Sequence, residues 1–472
     1  KTNEATDNYY VYFNIENNTF KYTLGQDKPE LILTVTGPDG SEVTSLPGLT
    51  HKVVQDRENK SISGFDVTTT NGLITIANKK TITATPSKEE QYTLKLTFVN
   101  YEGDQTANAT STLSAKVMIQ KEVIPQVVSD VCTNGDNLAT CITTLAGKSS
   151  ASLTKIYHHD GTIKSTSEFI SKSWNSETSK YDIITYPVGT VLDAEDNSYR
   201  YAGASDTVNN YVCFGSTQSP CPADNLYRII GVFDNKVGDN QTEQRVKLIK
   251  SDYATTSLLG EDGDYSKMYT DTGNSSLKYK GNNLANIAGY NWNTTGQNTW
   301  SLSNLNKPNL NKNFITNIGA DWAAKIADTT WKVGGNTSAN ISTKPAKTAY
   351  QNEIVSPVTT KSTDNKIELD AKIGLMYVSD YGFAAAPSAW TTNLRAYDKI
   401  KNDNWMYMGL YEWTISRIAD NSYSAFYVCD TGFVYHYIVD TYALAVRPVF
   451  SLSSSVAYVE GDGTQNSPIR IN

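Results

Sequence analysis

Five cysteines, four histidines and a few acidic side chains are the residues of this 472-residue chain that could carry reactive chemistry. Cys132 and Cys141 stand nine positions apart and Cys213 and Cys221 eight apart, flanking the turn-rich stretches TNGDNLAT and FGSTQSP. In an oxidising compartment such pairs close short disulfide loops; four ordinary thiols are the alternative. Neither spacing is C-x-x-C, and no histidine lies near Cys213, which argues against zinc. Cys429 is left over. The histidines are His51, the adjacent His158 and His159, and His436, and they form no H-E-x-x-H; nucleophile-elbow, Walker A and Rossmann fingerprints are missing as well. Asp262 and Asp264 make a D-x-D within GEDGDYSKMYTD, but the spacing is not that of an EF-hand loop. The expectation there is a solvated turn, with weak calcium binding as the alternative. Glu412 and Arg447 could line an enzyme pocket, and are expected instead to form a structural ion pair or capping contacts. The chain is therefore not expected to be an enzyme, and no cofactor or metal is called for. What stands out is AFYVCDTGFVYHYIVDTYALAVRPVF, residues 425–450, crowded with aromatics yet free of Lys, Glu, Gln, Met and Trp.

Charge and length limit what such a segment can be for. A net charge of -8 offers no basic stripe for nucleic acid, and no Lys- or Arg-rich run suggests docking on anionic lipid. No stretch of about 18 apolar residues predicts a membrane span. The sequence starts KTNEATDNYY with neither Met nor an apolar leader, so any export signal is expected to have been removed. The length suffices for two or three domains.

Three regions are expected. Residues 1–122 hold neither Trp nor Cys, whereas all eight Trp lie from Trp174 onward. The runs ELILTVTG, GLITIA, KTITATP, QYTLKLTFVNYEG and STLSAKVMIQ alternate apolar with polar residues between turn signals such as GPDG and TTNG. That pattern predicts an all-β sandwich of the immunoglobulin or jelly-roll kind. Residues 123–194 read as a connector with short helices at GDNLATCITTLAG and STSEFISKSW, the first starting near Asp136 or Asn137 and stopping at Gly147. Residues 195–472 are denser in aromatics and glycine. LYRIIGVFDNKV and QRVKLIKSDY predict paired strands, and NLNKNFITNIGADWAAKIA predicts an amphipathic helix through Phe314, Ile315, Ile318, Trp322 and Ile326. KIGLMYVSDYGFAAAPSAW reads as a strand entering a short helix, and ALAVRPVFSLSSSVAYVEG as two closing strands. The mixture is α+β.

The closing stretch carries a resemblance. GLYEWT at 409–414, about thirty loose residues and AVRPVF at 445–450 resemble the frame of the C-type-lectin fold in its formylglycine-generating-enzyme-like form. There a WEW strand precedes a long insertion and a GFR-like strand closes it. From DNSYRYAGA to GDGTQNSPIRIN, roughly residues 196–472, the chain is also similar to a domain common in surface proteins of gut Firmicutes and Mollicutes. YTLKLTFVNYEGDQTANATSTLSAKVMIQ resembles camelysin-type sandwich domains of Gram-positive surface fibres, over that one domain. The formylglycine-generating enzymes use a cysteine pair near the C-terminal sheet; here Cys429 stands alone, so that chemistry does not carry over. The EPN, QPD and WND sugar motifs of calcium-dependent lectins are missing.

The resemblance implies a display scaffold of diversity-generating retroelements. Randomising template adenines turns an Asn codon into NNY, which never encodes Lys, Glu, Gln, Met or Trp. Those five types make up about a sixth of the chain and are absent from residues 414–459. A Tyr-rich closing sheet that simply excludes long charged side chains is the bland alternative. On the diversified reading, a variable region of about 417–445 exposes Ile418, Tyr423, Ser424, Tyr427, Cys429, Asp430, Phe433, Tyr435, His436, Ile438, Asp440, Thr441, Tyr442 and Leu444. Ala425, Phe426, Val428, Thr431, Gly432, Val434, Val439 and 445–450 form the framework, and Tyr437 fits either set. Tyrosine suits such a face, offering apolar area and one hydroxyl with few torsions to freeze. Asp430 and Asp440 would favour basic partners, His436 could make binding pH-dependent, and Gly432 would supply a turn with positive φ. The expected protein is thus a bacterial cell-surface or secreted receptor or adhesin, exported, binding a protein or glycan ligand on another cell, phage or host surface. A structural subunit of a surface fibre or pilus, or a degenerate formylglycine-generating-type enzyme, are the alternatives.

Overall fold

The computed structural model of the chain describes residues 6–83, 89–175, 177–238, 241–266, 278–279, 282–283, 287–359 and 366–472. The chain divides into two compact units, Lys1–Pro125 and Gln126–Asn472.

In the first unit, strand Thr6–Asn18 lies between Gly72–Thr83 and Leu113–Gln120, antiparallel to both. A second antiparallel sheet has the order His51–Gln55, Ser61–Asp66, Leu31–Thr36, Thr93–Phe98. Because successive strand side chains point to opposite faces, the alternation seen in the sequence sorts them. Val11, Phe13 and Ile15 of one sheet meet Leu31, Leu33, Val35 and Phe65 of the other in a single core. Ile32, pointing the other way, is buried with Val99 and Tyr101. The pairing of Leu33 with Phe65 needs Gly64 beside it: a Cβ there would stand 2.5 Å from the Leu33 carbonyl oxygen.

The second unit is mostly β with short helices. Its largest sheet runs Ile373–Gly374, Val449–Ser451, Gln241–Lys250, Leu226–Gly238, Tyr199–Tyr201, Ile156–His158, with Tyr211–Cys213 also on Leu226–Gly238. The expected pairing of LYRIIGVFDNKV with QRVKLIKSDY is present as an antiparallel ladder. Helix Leu138–Lys148 packs Leu138, Cys141, Ile142 and Leu145 into the same core as these strands, so residues 126–194 belong to the second unit. Asn137 caps this helix by accepting from the Thr140 amide at 3.0 Å. Gly147 lies inside it and does not stop it. Both cysteine pairs are disulfide-bonded, Cys132 to Cys141 and Cys213 to Cys221. Among the described residues no helix is long and apolar enough to cross a membrane.

Two helical expectations need correction. FISKSWN within STSEFISKSW is a strand, Phe169–Asn175, paired antiparallel with Lys180–Tyr186. The seven-residue ladder with Lys180–Tyr186 satisfies its backbone as a strand, which no local period in the segment announced. The single helix expected through Phe314 is a wide-pitch π-helix Leu305–Phe314, containing Pro308, that runs on into Ile315–Asn317, and a separate turn Ala320–Ala323. Gly319, at φ +85, ends the middle piece. Phe314 still reaches the core, and Ile315, Ile318 and Trp322 pack against it.

The core holds one titratable group that couples stability to pH. His159 is fully buried; its Nδ1 accepts from the Ala194 amide at 3.0 Å, and its ring lies edge-on to Phe383. Burial, then the nearby Arg200 charge, holds the imidazole neutral to well below its ordinary 6.5. The unfolded chain binds a proton there that the folded chain does not. The His159 contribution is therefore complete above about pH 6.5 and falls as pH drops, by up to ~1.4 kcal/mol per pH unit. Urea titrations of parent and His159→Gln should show a stability difference that narrows on acidification from pH 7 to pH 5. A difference independent of pH would show that the histidine titrates normally.

Candidate functional site

Residues 412–438 build three antiparallel strands, Glu412–Ile418, Ser424–Val428 and Val434–Ile438. The short Gly335–Asn336 pairs parallel with the first, leaving Val434–Ile438 as the outer strand. The first two are buried along their whole length. The third turns outward: Val434 is buried, His436 half-buried, and Tyr435, Tyr437 and Ile438 are exposed. The hairpin turn closes when the Gly432 amide donates to the Cys429 carbonyl at 2.9 Å and the Cys429 amide to the Phe433 carbonyl at 2.7 Å. Gly432 has φ +101, the conformation expected for it, and Tyr381 donates to its carbonyl at 2.6 Å.

The outer strand carries two faces. On one, Tyr435 lies opposite Tyr427 and Tyr437 opposite Ala425. Tyr437 donates to the Tyr442 hydroxyl at 2.9 Å, with ring centroids 4.0 Å apart. The Arg395 guanidinium sits 4.0 Å from the Phe433 ring centroid and 4.1 Å from that of Tyr435, a cation held between two aromatic faces. On the other, His436 lies opposite Phe426, their rings in edge contact. Burial, opposed by Asp420 and reinforced by Arg395, lowers the His436 pKa, so the ring is neutral at neutral pH. Tyr423, Asp420, Asp440 and Thr441 are exposed around the hairpin. The arrangement suits non-covalent contact through rings, hydroxyls and flanking carboxylates.

The hairpin is rigidly seated. Trp292 donates from Nε1 to the Thr414 carbonyl and Trp413 to the Tyr290 carbonyl, both at 2.9 Å, and both indoles are fully buried. The Asn298 side-chain amide reaches the carbonyls of Ile418, Asn421 and Ser424, closing the loop between the first two strands. The amides of Trp292 and Asn293 both donate to the Val439 carbonyl. At the base, the Arg447 Nε donates to Glu412 at 2.7 Å, the expected ion pair, with both side chains buried.

Of the fourteen expected exposed positions, nine reach the surface wholly or in part: Tyr423, Asp430, Phe433, Tyr435, His436, Ile438, Asp440, Thr441 and Tyr442. Five do not. Ile418 ends the inner strand, sandwiched between neighbours on both sides. Ser424 and Tyr427 lie on the wholly buried middle strand, Tyr427 packed edge-on to Tyr411 and Trp413. Cys429 is buried beneath the turn, and Leu444 bridges to Tyr290. Thr431, expected as framework, is exposed. Arg395 had no signal in the sequence, since only the fold brings it to Phe433 and Tyr435. The solvated turn at Asp262 and Asp264 is half wrong: Asp262 is exposed, but Asp264 is fully buried and accepts from the amides of Thr294 and Leu305.

Cys429 is an inert thiol in this setting. Burial first, then the hydrogen bond to Asp430, raises its pKa above the ordinary 9.0. Iodoacetamide at pH 8 should leave Cys429 unmodified in the native protein and label it after unfolding; rapid native labelling would contradict the burial. No family model, curated protein or solved structure matches the chain.

Proposed function

We propose that the chain is an exported bacterial surface receptor or adhesin whose second unit presents a diversified, Tyr-rich contact face. One observation carries this reading. Among the exposed large apolar side chains of the second unit, Tyr423, Tyr435, Tyr437 and Ile438 gather on and beside one edge hairpin. All four fall within the stretch that lacks Lys, Glu, Gln, Met and Trp, the residue types excluded by NNY codons. A monomer's solvated surface normally carries Lys and Glu. The same stretch also supplies buried core residues such as Phe426, Val434 and Val439. On this reading the frame around the hairpin is a C-type-lectin fold of the formylglycine-generating-enzyme form, and the first unit is an immunoglobulin-like or camelysin-like sandwich that carries it. The two disulfides fit an oxidising compartment. The ligand is a protein or glycan on another cell, phage or host surface.

Sequencing the gene and its flanking template tests this. AAY codons in the template should match NNY codons in the gene at Tyr423, Phe433, Tyr435, His436, Tyr437, Ile438 and Tyr442, with the framework codons identical. A gene family that varies evenly along residues 366–472 would end the diversified reading. The fibre-subunit alternative has its own support: Leu113–Gln120 is an edge strand of the first unit, with Val117 and Ile119 exposed. If that edge drives assembly, the parent should sediment as polymers and Ile119→Lys as a monomer.

A further inference from the structure

The second unit contains a buried charge cluster on the large sheet, on residues the contact face does not use. Lys247, on strand Gln241–Lys250, pairs with Asp380, on helix Val378–Ala384; their side chains are 9% and 3% exposed, and Nζ lies 2.5 Å from Oδ2. Rings of Phe233, Trp331 and Tyr377 surround the Lys247 nitrogen, at 5.3, 5.7 and 4.7 Å from their centroids. Arg200, itself paired with Asp196, stands 3.8 Å from the other Asp380 oxygen. Glu353 is buried alongside: its Oε2 accepts from the Ser379 amide at 3.0 Å, and its Oε1 has no hydrogen-bond partner.

We propose that Lys247 and Asp380 condense into an intramolecular amide that cross-links strand to helix. An amine hydrogen-bonded to a carboxyl oxygen already lies near attack distance of its carbon, about 3–3.5 Å. The step balances without any co-reactant. Nζ forms a bond to Cγ of Asp380, the Cγ–Oδ2 bond breaks, and the ammonium and carboxylate together lose one water. The two hydrogens the ammonium gives up leave with Oδ2 as water, and Arg200 stands 3.8 Å from Oδ1, where negative charge develops. Burial lowers the Lys247 amine from its ordinary 10.5, opposed by the Asp380 charge beside it. The driving force is desolvation: a buried ion pair becomes a neutral amide, while Arg200 keeps Asp196 as its counter-charge. This cross-link is independent of what the hairpin binds.

Intact mass spectrometry of the reduced, purified full chain tests it. The mass should fall about 18 Da, one water, below that of the sequence. A tryptic digest should contain the Lys247 and Asp380 peptides joined. Lys247→Arg should have its full sequence mass. Asp380→Asn should lose about 17 Da, ammonia in place of water. A parent protein that shows a native near-ultraviolet circular dichroism spectrum and its full sequence mass would overturn the proposal, whatever the variants do.

Discussion

Replacing Glu412 with alanine should lower unfolding stability by about 3–5 kcal/mol, measured by urea titration. Arg447 would keep its charge in a site with no exposure, losing the carboxylate that now accepts from its Nε at 2.7 Å. Its Nη2 still donates to the Met406 carbonyl at 2.7 Å, but Nη1 already has no hydrogen-bond partner. The pair also stands where the chain enters and leaves the hairpin, because Glu412 bridges to Ala445 and the Trp413 amide donates to the Ala445 carbonyl. Glu412→Gln keeps shape and one hydrogen bond, so its loss should be smaller, about 1–3 kcal/mol. Removing both charges, as Glu412→Met with Arg447→Met, should recover much of the deficit, since two apolar side chains leave nothing unpaired. A Glu412→Ala protein within about 1 kcal/mol of the parent would mean that water reaches the guanidinium.

Trp292→Ala should be comparably severe, about 3–5 kcal/mol, because it opens a cavity beneath the sheet and orphans a carbonyl. The indole is fully buried, its ring centroid is 4.9 Å from that of Trp300, and its Nε1 serves the Thr414 carbonyl in the strand that starts the hairpin. Trp292→Phe separates the two effects: most of the ring volume stays and only the hydrogen bond goes, for about 1–3 kcal/mol. Amide hydrogen exchange gives a local readout, since residues 423–439 are fastened to this segment through Val439 and Asn298. Protection there should fall in Trp292→Ala more than in the strand pair Leu226–Gly238 and Gln241–Lys250. Equal loss everywhere would make the tryptophan a global core residue with no special hold on the hairpin.

Local chemistry was readable wherever a short-range rule dominates. Nine- and eight-residue cysteine spacings, the Asn137 cap, period-two alternation in the first unit and the positive φ of Gly432 each depend on neighbours within one turn or one strand pair. The failures share a cause. FISKSWN carries no clean period of either kind, and only pairing with Lys180–Tyr186 chose the strand. Gly319, at positive φ, broke a helix that the apolar spacing had run through.

For the candidate face, the sequence alone determined residue types: an aromatic stretch without long charged side chains, and framework residues small or apolar enough for a core. Tertiary structure decided which aromatics a ligand could touch. Tyr427 and Tyr435 are the same residue type on adjacent strands and directly opposite each other. One is buried because its strand has neighbours on both sides; the other is exposed because its strand is at the edge. Arg395 entered the face the same way, through the fold. Edge or centre is a property of the whole sheet, and no local pattern encodes it.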